Sequence, residues 1–345
     1  MIPTENSEAV IRGLRATFGV TELEDISRIT KGHTSSLVFR IIVRRSPYLL
    51  KIITRAEDQT RHYTVMKAAA EGGVAPRVLY ASIPDHVFIT DFVETVPLSI
   101  SEALIRLPGL LRTLHALPPF AKAPFNTTCT FLIHKGPTLD GFLQKFRAAN
   151  AMPEQETEEL FARYAQLAEA YACDESDLVS CHNDLFKPDN ILFDGHRLWL
   201  VDWEAAFLND RYADLAVVAN QVVSNEEEEA AYLERYFGAP PDRYQLARFH
   251  LMQQLVHVFY TMGLLYLGSK DTPVDWTIPV PELRDYHRRM WAGEVNVAAP
   301  AVKVTYARVH WERLLQNVRS PRYEEALRLC RFKLMAHQRA PSHRL

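Results

Sequence analysis

The apolar residues of this chain recur at two spacings, and the change from one to the other divides its length. Over Ser7–Phe18, the residues Val10, Ile11, Leu14 and Phe18 return every three or four positions behind an acidic start, which predicts an amphipathic helix. Residues 23–29, 36–43 and 48–54 are short runs rich in branched and aromatic side chains and predict strands. A helix over 56–71 follows, with Tyr63, Met66 and Ala70 on one face. Two more strands are predicted over 74–80, entered through Pro76, and over 86–93. Beyond that point helical spacing dominates: 101–117, with Leu104, Leu107, Leu111, Leu114 and His115 turned inward, then 139–149, 154–172, 214–223, 226–237, 244–266, 302–316 and 321–338. One interruption stands out. Ile191-Leu192-Phe193 and Leu198-Trp199-Leu200-Val201 are apolar runs joined by Asp194-Gly195, a strong hairpin signal.

Composition narrows the class. At 345 residues and 48% hydrophobic content the chain can bury a large core and suggests about two domains. A net charge of −3 gives no cause to expect nucleic acid or an anionic membrane as a partner. No apolar run is long enough to span a bilayer, and the first residues lack the basic start and apolar middle of a signal peptide. The cysteines at 129, 173, 181 and 330 lie far apart, without metal-ligand spacing or a disulfide pattern. Cys181 is expected to be a buried thiol. Together these point to a reducing cytoplasm. Nothing sets an oligomeric state.

The chemistry concentrates around the hairpin. His182-Asn183-Asp184 precedes it, Asp189-Asn190 leads into its first arm, and Asp202 ends its second. Closing the hairpin should bring Asp184, Asn190 and Asp202 onto one patch. Phosphoryl transfer needs a group to orient an attacking hydroxyl and oxygen ligands to hold Mg²⁺ on nucleotide phosphates, and these side chains supply both. Upstream, Lys31-Gly32-His33-Thr34-Ser35-Ser36 can turn backbone N–H groups and small hydroxyls toward phosphates. Lys51 lies inside the apolar run Tyr48-Leu49-Leu50-Lys51-Ile52-Ile53, where a lysine is costly without a partner.

The stretch from Ser180 through Ala216, with His-x-Asp, an Asn, a strand, Asp202-Trp203-Glu204 and then Asn-Asp-Arg-Tyr-Ala-Asp-Leu-Ala at 209–216, resembles the aminoglycoside phosphotransferase and choline kinase superfamily. Asp-Trp-Glu is more like the choline and ethanolamine kinase branch. The resemblance covers roughly residues 25–270. It implies an α+β, protein-kinase-like fold of two lobes: a small antiparallel β-sheet lobe over 1–93 that binds nucleotide, and a larger, mainly helical catalytic and substrate lobe over 94–345. It implies Asp184 as catalytic base, His182 as a brace of the loop, and Asn190 and Asp202 as Mg²⁺ ligands. ATP would be held by Lys51, by Gly32, Ser35 and Ser36, and by a hinge over 90–93 that includes Asp91 and Val93.

Two departures from the pattern follow. The family's Asn usually stands five residues after the catalytic Asp, where this chain has Asp189. Asn190 is favoured because it directly precedes the strand. The helix that should supply a Glu to Lys51 has His62 there, with Glu57, Asp58 and Glu71 as nearby acids. Asp214 is expected to tie the segment after the metal loop to a helix start.

The expected activity is transfer of phosphate from ATP to a hydroxyl of a small molecule, a choline- or ethanolamine-like amino alcohol or an aminoglycoside. Phe249, Phe259, Tyr260, Tyr266 and Trp276 are candidate walls for a cation, or core. The acids near them (Asp271, Asp275, Glu282) are few, which favours the smaller acceptor. Glu226–Glu229 reads as a solvated helix start, or as an acidic patch for a cationic substrate. A nucleotide-binding regulator with little catalysis is one alternative. A protein Ser/Thr kinase is another, although the stretch between Asp202 and Asp214 is short for peptide docking.

Overall fold

The computed structural model describes residues 2–29, 36–54, 60–122, 137–171 and 175–339, with side chains from 142 and up to 335 in the last two helical ends. Gly32, Ser35, Glu57, Asp58, Cys129 and Cys173 lie outside the described residues.

Helix α1 (Ser7–Phe18) matches its predicted bounds and ends at Gly19 in a left-handed C-cap. Strands β1 (Asp25–Ile29), β2 (Ser36–Val43), β3 (Ser46–Ile53), β4 (Val78–Ser82) and β5 (Val87–Asp91) form one antiparallel sheet in the order β1-β2-β3-β5-β4. Period-two alternation decides what each face meets. Leu50 and Ile52 of β3 join Phe39, Ile41, Val87 and Ile89 in a core sealed by Ala9, Val10 and Leu14 of α1. Ile53 and Phe88 belong to the main core on the other face, with Val65, Met66 and Ala69 of α2 (Thr60–Glu71). Lys51 therefore stands among side chains that face the rest of the molecule, paired across the ladder with Val38 and Phe88.

Residues 92–99 link β5 to α3 (Ile100–His115) without helix or strand. A capping box of Ser99 and Glu102 starts α3. Most of the remainder is helical: α4 (Pro137–Ala149), α5 (Glu154–Ala170), α6 (Arg211–Val222), α7 (Glu226–Phe237), α8 (Arg243–Gly268), α9 (Leu283–Trp291), α10 (Pro300–Asn317) and α11 (Pro321–Arg339). Helix α8 is the axle of this part and packs against α6, α10 and α11. The fold is α+β, as expected. Among the described residues no helix is long and apolar enough to cross a membrane.

Several expectations need correction. Strand β4 starts at Val78, because the Val74 carbonyl accepts Leu200 N–H at 2.8 Å instead of joining the sheet. Two four-residue strands, β6 (Leu178–Cys181) and β9 (Phe207–Asp210), pair beside the central loop. Their polar residues disguise them in sequence. Helix α9 buries Leu283, Tyr286, His287 and Met290 at helical spacing inside a strongly basic stretch. The acidic run at α7 is solvated at its start, but Glu229 is buried against Arg322.

Candidate active site

The central loop leaves β6 at Cys181 and is held from beneath by one carboxylate. Asp214, buried in α6, accepts the backbone N–H of His182 at 2.7 Å and that of Asn183 at 2.8 Å, one on each oxygen. His115 Nε2 lies 3.3 Å from the same carboxylate, and Tyr236 OH lies 2.7 Å from Nδ1. Burial alone would raise the Asp214 carboxyl, but the bond and charge of His115 and the charge of His182 bring it below the ordinary range. The helix cap that sequence assigned to Asp214 falls to Asp210, whose side chain accepts Tyr212 N–H at 2.9 Å. Asn183 takes a left-handed φ of 64°, a conformation asparagine tolerates better than most residues. Its side chain donates to Ala205 O at 3.1 Å and accepts from Asn209 at 2.7 Å. His182 Nε2 donates to Val201 O at 2.9 Å, and its ring packs on Trp203.

His115, Cys181 and Asp214 bring potential metal ligands within 4.8 Å of one another. Both Asp214 oxygens already accept N–H donors, and burial pushes the Cys181 thiol well up, so it stays protonated. The trio is a hydrogen-bonded brace, and Cys181 is the buried thiol that was expected.

The hairpin closes as predicted. Strands β7 (Ile191–Phe193) and β8 (Leu198–Leu200) pair Ile191 with Leu200 and Phe193 with Leu198. Asp194 builds the turn, accepting His196 and Arg197 N–H and Trp199 Nε1–H, each at 2.8 Å. Burial opposes ionisation of Asp194, yet these bonds hold its carboxyl at about 2. Gly195, at φ 90°, meets the turn's need for a left-handed residue. Val201 N–H continues the pairing onto Asn190 O at 3.0 Å, which sets Asp202 beside Asn190.

Asn190 is buried, and its Nδ2 donates to Asp184 O at 2.6 Å and to Asp184 Oδ2 at 3.0 Å. Asp189 is exposed. Of the two candidates, Asn190 is the one brought to Asp184. Lys187 Nζ lies 3.4 Å from Asp184 Oδ2. Burial pushes the Asp184 carboxyl up, against the opposing charges of Lys187 and His182. Lys51 Nζ lies 3.3 Å from Asp202 Oδ1 and 3.5 Å from Glu204 Oε1. Burial would raise Asp202 too, but Lys51 and then Lys187 lower it. Asp184 and Asp202 each feel Lys187, and Asp202 also acts on Asp184, so the two carboxylates share one patch.

Among the described residues the acids beside Lys51 lie on the segment after β8, while Glu57 and Asp58, the acids the sequence offered ahead of α2, lie outside the described residues. Glu71 faces Lys67, and His62 is buried with its ring near that of Phe88. Helix α2 sends Arg61 instead, donating to Ala206 O at 2.5 Å and Glu204 O at 2.7 Å. Glu204, Arg61 and Lys187 were missed as site residues. Glu204 lay inside the Asp-Trp-Glu motif, whereas the other two carried no signal. Ser36 opens β2 opposite Ile53. Asp91 ends β5 in a two-pronged pair with Arg77, and its N–H is engaged on Arg77 O at 3.0 Å. Val93 follows in the connecting segment.

The candidate aromatic walls separate. Phe249 is fully buried core. Trp276 lies under Arg308 and donates to Ala151 O, and Tyr266 packs edge-on to Phe142. Tyr260, with Phe259 edge-on beside it, brings its ring 5.1 Å from Phe186 of the central loop. Behind it stack Tyr306 and Tyr286.

A partly buried lysine on a small antiparallel sheet, set against a His-x-Asp loop and a paired Asp on a hairpin in a helical body, is the architecture of kinase-like phosphotransferases. Residues 25–249 match the model of the phosphotransferase enzyme family, and the chain belongs to that family. Protein LicA of Haemophilus influenzae is 32% identical over 95 residues, which are 27% of this chain and 35% of that protein, so the match spans about a third of the relative's length. Among solved structures, a choline/ethanolamine kinase family protein from Mesorhizobium loti superposes with a TM-score of 0.63 at 18% identity, over 95% of this chain and 99% of that one. Choline kinase from Cryptosporidium parvum gives 0.60 at 15% identity, over 95% and 99%.

Proposed function

We propose that this protein transfers the γ-phosphoryl group of ATP to the hydroxyl of a small amino alcohol of the choline or ethanolamine kind. The observation that carries the reading is the meeting of Asp184, Asn190, Asp202 and Lys51 in one patch. In this reading residues 1–93 cover the nucleotide and residues 94–345 carry catalysis and the acceptor.

The donor set fits Mg²⁺, a hard cation that takes oxygen ligands. Asp202 offers a carboxylate, and Asn190, its amide nitrogen turned to Asp184, offers its carbonyl oxygen. When bound, the ion would neutralise charge on the β- and γ-phosphates. Lys51 binds the α- and β-phosphates. Asp184 orients the acceptor hydroxyl and takes its proton as the oxygen bonds to phosphorus and ADP leaves. Its carboxyl, raised by burial, makes it a stronger base than an exposed aspartate. The bonds from Asp214 and Asn190 fix the loop in advance, so little reorganisation is needed at the reacting hydroxyl.

Phe186, two residues beyond Asp184, already holds an ammonium, Lys187 Nζ, 5.0 Å from its ring centroid, and a ring face of this kind attracts an organic ammonium. An aminoglycoside would want an acidic wall. Here Glu282 caps α9 and pairs with Arg313, and Asp275 holds the backbone and hydroxyl of Thr277, so these acids are engaged locally. Only 11 residues separate Asp202 from Asp214, and they form one short helical turn, β9 and the start of α6, which leaves no platform for a peptide. The test is ADP release with choline, ethanolamine and kanamycin as acceptors. Turnover with an amino alcohol is expected. No ADP above the acceptor-free background with any of them would overturn the reading.

A further inference from the structure

The side chain of Lys51 is only 12% exposed, so its ammonium needs a lasting counter-charge. Asp202 and Glu204 both supply one. If Asp202 turns to a cation when nucleotide binds, Glu204 is the partner left to Lys51. The carboxylate therefore sits two residues beyond Asp202, on a turn that must itself be held. That turn begins with Asp202 at a left-handed φ of 67° and continues as a single helical turn over Trp203–Ala205. A piece so short satisfies one carbonyl itself, Trp203 O by Ala206 N–H, and leaves those that follow without partners inside the turn. Arg61 takes two of them, those of Glu204 and Ala206, with the two prongs of one guanidinium. The first turn of α2 carries no acid, and the neighbouring His62 turns its ring toward Phe88, the cross-strand neighbour of Lys51.

We propose that α2 positions Lys51 at second hand: Arg61 pins the turn at 204–206, and Glu204 on that turn, not an acid on the helix, is the standing partner of the lysine. Arg61 and Glu204 are positioning residues, and the inference rests on the reading of Lys51 as the nucleotide-binding lysine. The helix holds the site through carbonyls, and the charge of Lys51 is matched by the segment that also carries Asp202.

The test measures ADP affinity by calorimetry, with Mg²⁺ and with EDTA, and KM for ATP and for the acceptor in Glu204→Gln, Arg61→Met, Lys51→Met and the Lys51→Met/Glu204→Gln pair. Glu204→Gln and Arg61→Met should each raise KM for ATP about tenfold and leave the acceptor KM unchanged. The ADP loss in Glu204→Gln should persist in EDTA. It should vanish in the Lys51→Met background, because residues acting through one contact are not additive. Additive losses, a Glu204 effect that disappears without Mg²⁺, or an Arg61→Met protein that only unfolds sooner at unchanged KM would each overturn the proposal. Should the wild-type chain bind ADP but phosphorylate no alcohol, the functional reading falls, and the ADP affinities still decide this one.

Discussion

Two helices hold the backbone before and after the hairpin, and they do so with opposite chemistry. From the helical body, α6 presents Asp214, a fully buried carboxylate that accepts backbone N–H groups and is backed by His115 and Tyr236. From the sheet side, α2 presents Arg61, a half-buried cation that donates to backbone carbonyls, backed by the ion pairs of Lys51. The first device is dry and rigid. The second is partly wet, and an ion pair in such a setting is worth less and adapts more easily. The floor of the site is thus built in advance, while its nucleotide side keeps some freedom to adjust.

The contrast can be broken at its strongest point first. Asp184→Ala should lower kcat by about 10²–10⁴-fold, the span of a lost general base, with KM for ATP little changed. Normal turnover would remove Asp184 from the role. Asp214→Ala strands two buried N–H donors at about 1–3 kcal/mol each, so the urea midpoint should fall clearly. Arg61→Met should shift that midpoint far less. Equal losses in the two variants would erase the distinction between floor and ceiling.

Acid should also act on the floor side. His257 and His310 join α8 to α10 through ring nitrogens 2.8 Å apart, and burial pushes both well below the usual histidine range. His250 and His287 are likewise lowered by burial, to about 3. These rings stay neutral in the fold and take protons once it opens. They cost nothing above about pH 6.5, and stability falls as pH drops from there toward 3, by up to about 1.4 kcal/mol per unit for each ring. Asp202, already lowered, stays charged through most of that window. Urea unfolding at pH 7, 6 and 5 should show the decline, and a flat profile would clear the histidines. The smallest effect belongs to Asp189→Ala. Being exposed, that residue should leave kcat within about twofold, whereas Asn190→Ala should impair turnover and its dependence on Mg²⁺.

Short-range signals carried most of what the sequence disclosed. The bounds of α1 and α7 and the pairing of the hairpin follow from spacing, caps and the Asp-Gly turn, all local. The contacts that span the chain were not legible. Asp210 and Asp214 stand in one motif, and nothing in its wording says which caps the helix and which turns to His182. Arg61 meets a turn some 140 residues away, and a surface arginine reads the same until that turn is in place. Which of Asp189 and Asn190 the loop turns inward is a question of frame that spacing does not show: Asn190 is buried against Asp184 and Asp189 is exposed.

The hairpin is fastened at two further points. Leu200 N–H bonds the carbonyl of Val74, just ahead of β4, and Val96 N–H bonds the carbonyl of Phe193. Although encoded deep within the helical half of the chain, the ribbon is stitched to the strand side and to the connecting segment. The same ribbon is tied to the Asp184 loop through His182 and Val201 and through Asn190, so a displacement of the strand side is carried by backbone bonds straight to the patch of Asp184 and Asp202.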